Sequence, residues 1–75
     1  MDQKTKELIG IAAAYASGCE ECLVYHIHQA KEAGLTRKDV LIAMRIADRV
    51  KQASVSFLDE AAGEAMKEFE QEQTE

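Results

Sequence analysis

The chain has 75 residues, a net charge of −5 and no proline. A chain of this length forms one domain at most and can bury only a modest core. With no proline and only four glycines, it lacks the turn residues that a β-sandwich or barrel requires. We therefore expect a single all-α domain over residues 1–75. Because alanine supplies 12 of its apolar residues, we also expect it to be stabilised by self-association.

Charge is unevenly distributed along the chain. Residues 1–58 carry seven acidic and eight basic side chains, whereas residues 59–75 carry seven acidic side chains and one lysine. No basic stripe of the kind that binds nucleic acid is present, and no apolar run approaches the roughly 20 residues of a membrane span. The polar N-terminus leads into no signal-peptide core. We expect a cytoplasmic protein that binds neither nucleic acid nor membrane.

The first predicted helix covers about residues 3–16. Leu8, Ile11 and Tyr15 recur at helical spacing within it. Three consecutive alanines add helix propensity, and a Ser-Gly pair then interrupts the pattern.

The second predicted helix begins at this interruption. Ser17 followed by Glu20 has the spacing of a capping box, which would place Cys19 in the first helical turn. The helix is expected to run to about Ala33, where Gly34 would supply a left-handed cap. The first two helices should therefore form a hairpin.

The third helix is expected to begin after Thr36, which forms a weaker capping pair with Asp39. No proline stops the apolar stripe that follows. We predict either one long helix over residues 37–70 or two helices broken near residues 61–63. A continuous helix would span roughly 50 Å and would need a partner along its far half. Residues 70–75 are expected to be a frayed tail.

Both cysteines and one histidine form the pattern Cys19-x2-Cys22-x3-His26. Residues three and four apart share a helix face, so the pattern predicts that these three side chains lie on one stripe. Such a stripe can be a redox pair with a proton shuttle, part of a metal site, or simply core. Two close cysteines in a cytosolic protein favour catalysis or metal binding over a static crosslink.

Glu7 joins this group through the geometry of the hairpin. It lies about ten positions before the turn and His26 about eight after it, so the two should lie within roughly 3 Å along the helix axis. A carboxylate beside an imidazole can accept its proton or orient it.

The pattern Glu7-x11-Cys19-x2-Cys22-x3-His26, with its helix-Gly-Leu-Thr continuation, resembles the carboxymuconolactone decarboxylase family. It is most similar to the alkyl hydroperoxidase D-like branch, over about residues 5–50. The resemblance implies an all-helical fold and a homo-oligomer, either trimer or hexamer. It also implies that the two cysteines reduce a peroxide or a disulfide, while the Glu and His relay protons. The decarboxylase members do not rely on a C-x2-C pair, which argues against decarboxylation here.

The sequence thus predicts a thiol–disulfide oxidoreductase or peroxidase with Cys19, Cys22, His26 and Glu7 as its catalytic residues. It needs no cofactor or metal, and an external dithiol would regenerate the cysteine pair. The alternative is a non-enzymatic helical assembly module with a Cys/Cys/His metal site. Which cysteine attacks is open, because exposure at the helix start favours Cys19 and proximity to His26 favours Cys22.

Overall fold

The computed structural model describes residues 1–53 and 58–72, and all regular structure within them is α-helical. The helices are α1 (Gln3–Ser17), α2 (Glu20–Glu32), α3 (Arg37–Lys51) and α4 (Leu58–Glu72). The all-α prediction is confirmed for this part of the chain. None of these four helices combines the length and the apolar character needed to cross a membrane.

Helix α1 packs against both α2 and α3 and lies at the centre of the fold. Ile11 and Ala30 are fully buried between the helices, with Ala43 beside them. Partly buried apolar side chains surround this cluster: Leu8, Leu23, Ile27, Leu35, Val40 and Met44. Among the described residues Ile11 is the one large side chain that is fully buried. Such a core removes little apolar area from water, so it stabilises one chain only weakly.

Helix α1 ends in a Schellman motif. Gly18 adopts the left-handed conformation with φ 80°, and its N–H donates to the Tyr15 carbonyl at 3.3 Å. The N–H of Cys19 donates to the Ala14 carbonyl at 3.0 Å, which completes the motif. Ser17 is therefore the last residue of α1.

Helix α2 is capped by Cys19, whose backbone is extended and whose Sγ accepts the N–H of Cys22 at 3.3 Å. The prediction that Ser17 caps this helix in a box with Glu20 was wrong. The left-handed turn at Gly18 comes after Ser17, so Cys19 is the residue at which the chain enters α2. Cys19 thus precedes the helix and does not lie in its first turn.

The connection from α2 to α3 follows the predicted signals. Gly34 has φ 92°, and the N–H of Leu35 donates to the Ala30 carbonyl at 3.0 Å. Thr36 and Asp39 form a capping box with two hydrogen bonds of 3.2 Å. Hydrogen bonding to Thr36 lowers the pKa of Asp39, and the backbone of Thr36 contributes more than its side chain.

The third and fourth helices are separate. Helix α3 ends at Lys51, where the N–H of Gln52 donates to the Asp48 carbonyl at 3.2 Å. Gly63 lies inside α4. The expectations of a continuous helix over 37–70 and of a break near 61–63 were therefore both wrong.

The physical reason lies in propensities. One glycine costs a helix only about 1 kcal/mol, and its alanine neighbours favour the helix. The predicted tail at 70–75 is helical as far as Glu72, and residues 73–75 lie outside the described part.

Candidate functional site

A disulfide joins Cys19 to Cys22 at the start of α2, with the two Cα atoms 5.3 Å apart. Cys22 is exposed, whereas Cys19 is half-buried. The expectation that the first cysteine is the more exposed one was therefore wrong, because the turn at Gly18 sets Cys19 back against α1. The pair is a dithiol that can form its disulfide within a single turn of chain.

Glu7 and His26 meet across the hairpin. Glu7 Oε1 lies 2.8 Å from His26 Nδ1, and Glu7 is only 5 % exposed. This contact agrees with the position that the hairpin geometry predicts. The His26 side chain remains 30 % exposed, so one side of its ring stays accessible from solvent. The pair joins a buried carboxylate to a partly exposed imidazole.

His26 lies one helical turn after Cys22 on α2, a spacing that sets their Cβ atoms about 5–6 Å apart. Cys22 and His26 therefore share one face of α2. At the other sulfur, the hydrogen bond from the Cys22 N–H and the free end of α2 favour a thiolate on Cys19. The two cysteines thus have different neighbours: Cys22 has His26 on its helix face, and Cys19 has the backbone N–H groups at the start of α2.

A surface pocket adjoins Cys19, and Glu20 from the acidic first turn of α2 lies in its lining. Tyr15, Leu23 and Lys51 contribute to its lining. The Lys51 ammonium lies 5.5 Å from the centroid of the Tyr15 ring, a cation–π contact. Lys51 thus brings a positive charge from α3 to the pocket beside Cys19, opposite in sign to the carboxylate of Glu20 in the same lining.

Three residues at this site were absent from the sequence prediction: Gln3, Gly10 and Lys51. Gln3 and Gly10 lie four positions before and three positions after Glu7, so they share its face of α1. Once Glu7 is identified as a site residue, this spacing indicates that Gln3 and Gly10 lie beside it. Lys51 carries no comparable signal, because only the packing of α3 on α1 brings it near Cys19.

The metal-site alternative requires Cys19, Cys22 and His26 to converge on one ion. Over residues 1–53 and 58–72, no group of three or more His, Cys, Asp or Glu side chains is arranged to hold a metal ion. The two sulfurs are bonded to each other, and His26 faces Glu7. The described residues of the site thus comprise the Cys19–Cys22 disulfide and the Glu7–His26 pair.

The sequence matches the profile of the carboxymuconolactone decarboxylase family over residues 1–67, and the chain belongs to that family. A curated relative from Paracoccus denitrificans, "Uncharacterized protein 4 in cox locus", is 29% identical over 51 residues. The alignment covers 68% of this chain and 46% of the relative, so the chain spans about half the length of that protein. No solved structure gave a significant match.

Proposed function

We propose that the protein is a thiol–disulfide oxidoreductase or peroxidase of the alkyl hydroperoxidase D-like branch. Cys19 and Cys22 form its redox pair, and Glu7 and His26 relay the protons. The observation that carries this proposal is the disulfide at the start of α2, one turn from an imidazole held by a buried carboxylate. The C-x2-C pair favours this redox chemistry over decarboxylation.

Cys22 is the attacking cysteine in this proposal, because it is exposed and lies next to His26 on α2. Its thiolate attacks one oxygen of a hydroperoxide, and the O–O bond breaks. The leaving alkoxide takes the proton that His26 had accepted, and Cys22 becomes a sulfenic acid. The Cys19 thiol then attacks the Cys22 sulfur, water leaves and the disulfide forms. Two electrons pass from the two thiols to the peroxide.

Regeneration uses an external dithiol. The reductant attacks the exposed Cys22 sulfur, and Cys19 leaves as a thiolate that the N–H of Cys22 already faces. A stabilised leaving thiolate speeds this exchange. The second thiol of the reductant then releases Cys22 and is itself oxidised. A disulfide substrate would be reduced through the same kind of mixed disulfide. We place this cycle in the cytoplasm, where dithiol systems keep thiols reduced.

We also propose that the protein acts as a homo-oligomer, a trimer or a hexamer. Helix length no longer supports this, because α3 ends at Lys51. The support comes instead from an apolar groove between α1 and α3, in which Ile9, Ile42 and Ile46 are about half exposed. A second copy of the chain would cover these side chains.

The test is a thiol titration combined with peroxide turnover. The full chain should show two titratable thiols after reduction and none after one equivalent of peroxide, reversibly. With dithiothreitol as reductant it should consume an organic hydroperoxide catalytically. Cys22→Ser should abolish the first step, whereas Cys19→Ser should still form a sulfenic acid once and then stop.

A matched control is Ser17→Ala, because Ser17 lies beside the site at the end of α1 and should leave turnover unchanged. Two results would contradict the proposal: full turnover in both cysteine variants, or stoichiometric zinc in the purified protein with no reduction of any peroxide or disulfide.

A further inference from the structure

Glu7 is the one charged side chain among the described residues that is buried. Both of its carboxylate oxygens have partners. Oε1 faces His26 Nδ1, and Oε2 accepts a hydrogen bond from the Gln3 side-chain amide one turn earlier on α1. A carboxylate is an acceptor at both oxygens, so neither oxygen of Glu7 is left without a partner. Gln3 thus belongs to the same network as His26, although it lies on the far side of Glu7.

Gly10 lies inside α1, directly under the His26 ring. A Cβ at this position would lie 2.5 Å from Nδ1, 2.6 Å from Cε1 and 2.7 Å from Cγ of His26. These separations are below any van der Waals contact, so the ring could not stay where it is. Glycine is the least favourable residue after proline inside a helix. Its presence here gives the imidazole the space to reach Glu7.

Gly63 provides the contrast. It also lies inside a helix, α4, but a Cβ added there would meet no heavy atom within 4 Å. The close approach of a side chain is therefore a property of Gly10 and is not general to the helical glycines of this chain.

We propose that Gln3 and Gly10 are positioning residues for the Glu7–His26 pair. Gly10 leaves room for the imidazole against α1, and Gln3 holds the second oxygen of Glu7 so that the first faces Nδ1. This inference rests on the proposed function for its catalytic meaning, but the geometry that it concerns can be measured without turnover.

The consequence is a defined tautomer. Because Glu7 only accepts, His26 Nδ1 carries the proton in the pair, and Nε2 is left as the free nitrogen. Nε2 is then the atom that takes a proton from a thiol and returns it. Without Gly10 or Gln3, the ring would lose the contact that selects this tautomer.

The first test compares Gly10→Ala with Gly63→Ala in the full chain. Imidazole 15N chemical shifts at mildly alkaline pH distinguish a protonated Nδ1 from a protonated Nε2. Wild-type His26 should show protonated Nδ1, and exposed His28 serves as the internal reference. Gly10→Ala should shift His26 to the pattern of His28 and lower peroxide turnover about a hundredfold, as expected for a misplaced group. Gly63→Ala should change neither.

The second test covers the case in which Gly10→Ala does not fold. Gln3→Ala removes an exposed residue and should leave His26 with a mixture of both tautomers. Its matched control is Gln52→Ala, which removes a similar bond, from Gln52 to Asp48 at 3.0 Å, away from the site. That control should leave the His26 signals unchanged.

Folded Gly10→Ala or Gln3→Ala protein whose His26 keeps the wild-type tautomer would overturn the role of that residue. The two proposals fail separately. If wild-type His26 has protonated Nδ1 and both variants lose it, the positioning roles stand even if no peroxide or disulfide is reduced. If turnover is normal and the tautomer never changes, the positioning roles are wrong and the redox proposal survives.

Discussion

At the scale of single residues, the proposed chemistry depends on Glu7, a carboxylate that is buried. Moving an ion away from water is unfavourable unless hydrogen bonds compensate for the lost hydration. Glu7 has this compensation from His26 on α2 and from Gln3 on its own helix. Replacing a buried ion pair by apolar residues is often neutral for stability, which favours a role for Glu7 in orienting the imidazole.

We expect Glu7→Gln to fold and to lose activity. The amide is nearly isosteric, but it carries no charge to stabilise a protonated His26. Peroxide turnover should fall about a hundredfold, the low end of what general acid–base catalysis contributes. Alkylation of the reduced thiols by iodoacetamide should also require a higher pH. The control is Glu64→Gln, an exposed glutamate paired with Lys67 at 3.2 Å. A wild-type pH profile in Glu7→Gln would remove Glu7 from the relay.

At the scale of helices, the sequence correctly predicted the helix ends at which only one capping signal is present. Gly34, Thr36 and Asp39 could be assigned from the sequence because each cap involves neighbours only. At Ser17-Gly18-Cys19, a capping-box pattern competed with a left-handed glycine, and the glycine prevailed. The spacing of Ser17 and Glu20 alone cannot show whether the serine starts α2 or the glycine after it terminates α1.

The same distinction applies to the site. Glu7 and His26 could be paired in advance, because a short turn fixes which residues of a hairpin face each other. Gly10 could not be assigned, because its role depends on the position of a ring from another helix. Lys51 depends on the packing of α3, which no short-range pattern specifies.

The capping box formed by Thr36 and Asp39 makes stability sensitive to acid. Hydrogen bonds from Thr36 lower the pKa of Asp39 below its ordinary value of 3.8. Its contribution to stability is therefore complete above that value and is lost as the pH falls through the lower, folded-state value. The thermal midpoint, followed by circular dichroism, should drop as the pH is lowered through this range.

Asp39→Asn should lower the midpoint at neutral pH and flatten its dependence on acid. The control is Asp59→Asn, an exposed acidic residue in the first turn of α4. An equally steep acid dependence in Asp39→Asn would show that the cap does not cause it.

At the scale of the whole molecule, the described part of the fold buries few large apolar side chains and leaves many of them exposed. The core is mostly alanine, and large apolar side chains remain exposed on several helices. On α4 these are Leu58, Met66 and Phe69, each more than half exposed. A single chain with this distribution gains little from folding alone, which agrees with the proposed association of several copies.

The groove between α1 and α3 gives this proposal a specific test. Ile42 lies in the groove and is 47% exposed, so Ile42→Glu should place a charge inside an interface between copies. Sedimentation velocity should show an oligomer for the wild type and a monomer for this variant. Val24→Glu is the control, because Val24 is similarly exposed on α2 and lies outside the groove. A monomeric wild type would contradict the proposal.

The short span of the disulfide has a thermodynamic consequence. Cys19 and Cys22 are three positions apart, so their bond closes a very small loop of chain. Such a loop restricts the unfolded ensemble far less than a link between distant residues would. Global stability therefore depends little on the oxidation state, and the chain can gain and lose this bond without unfolding. In the proposed redox cycle, substitutions around the start of α2 are therefore expected to change the reactivity of the cysteine pair with little effect on folding.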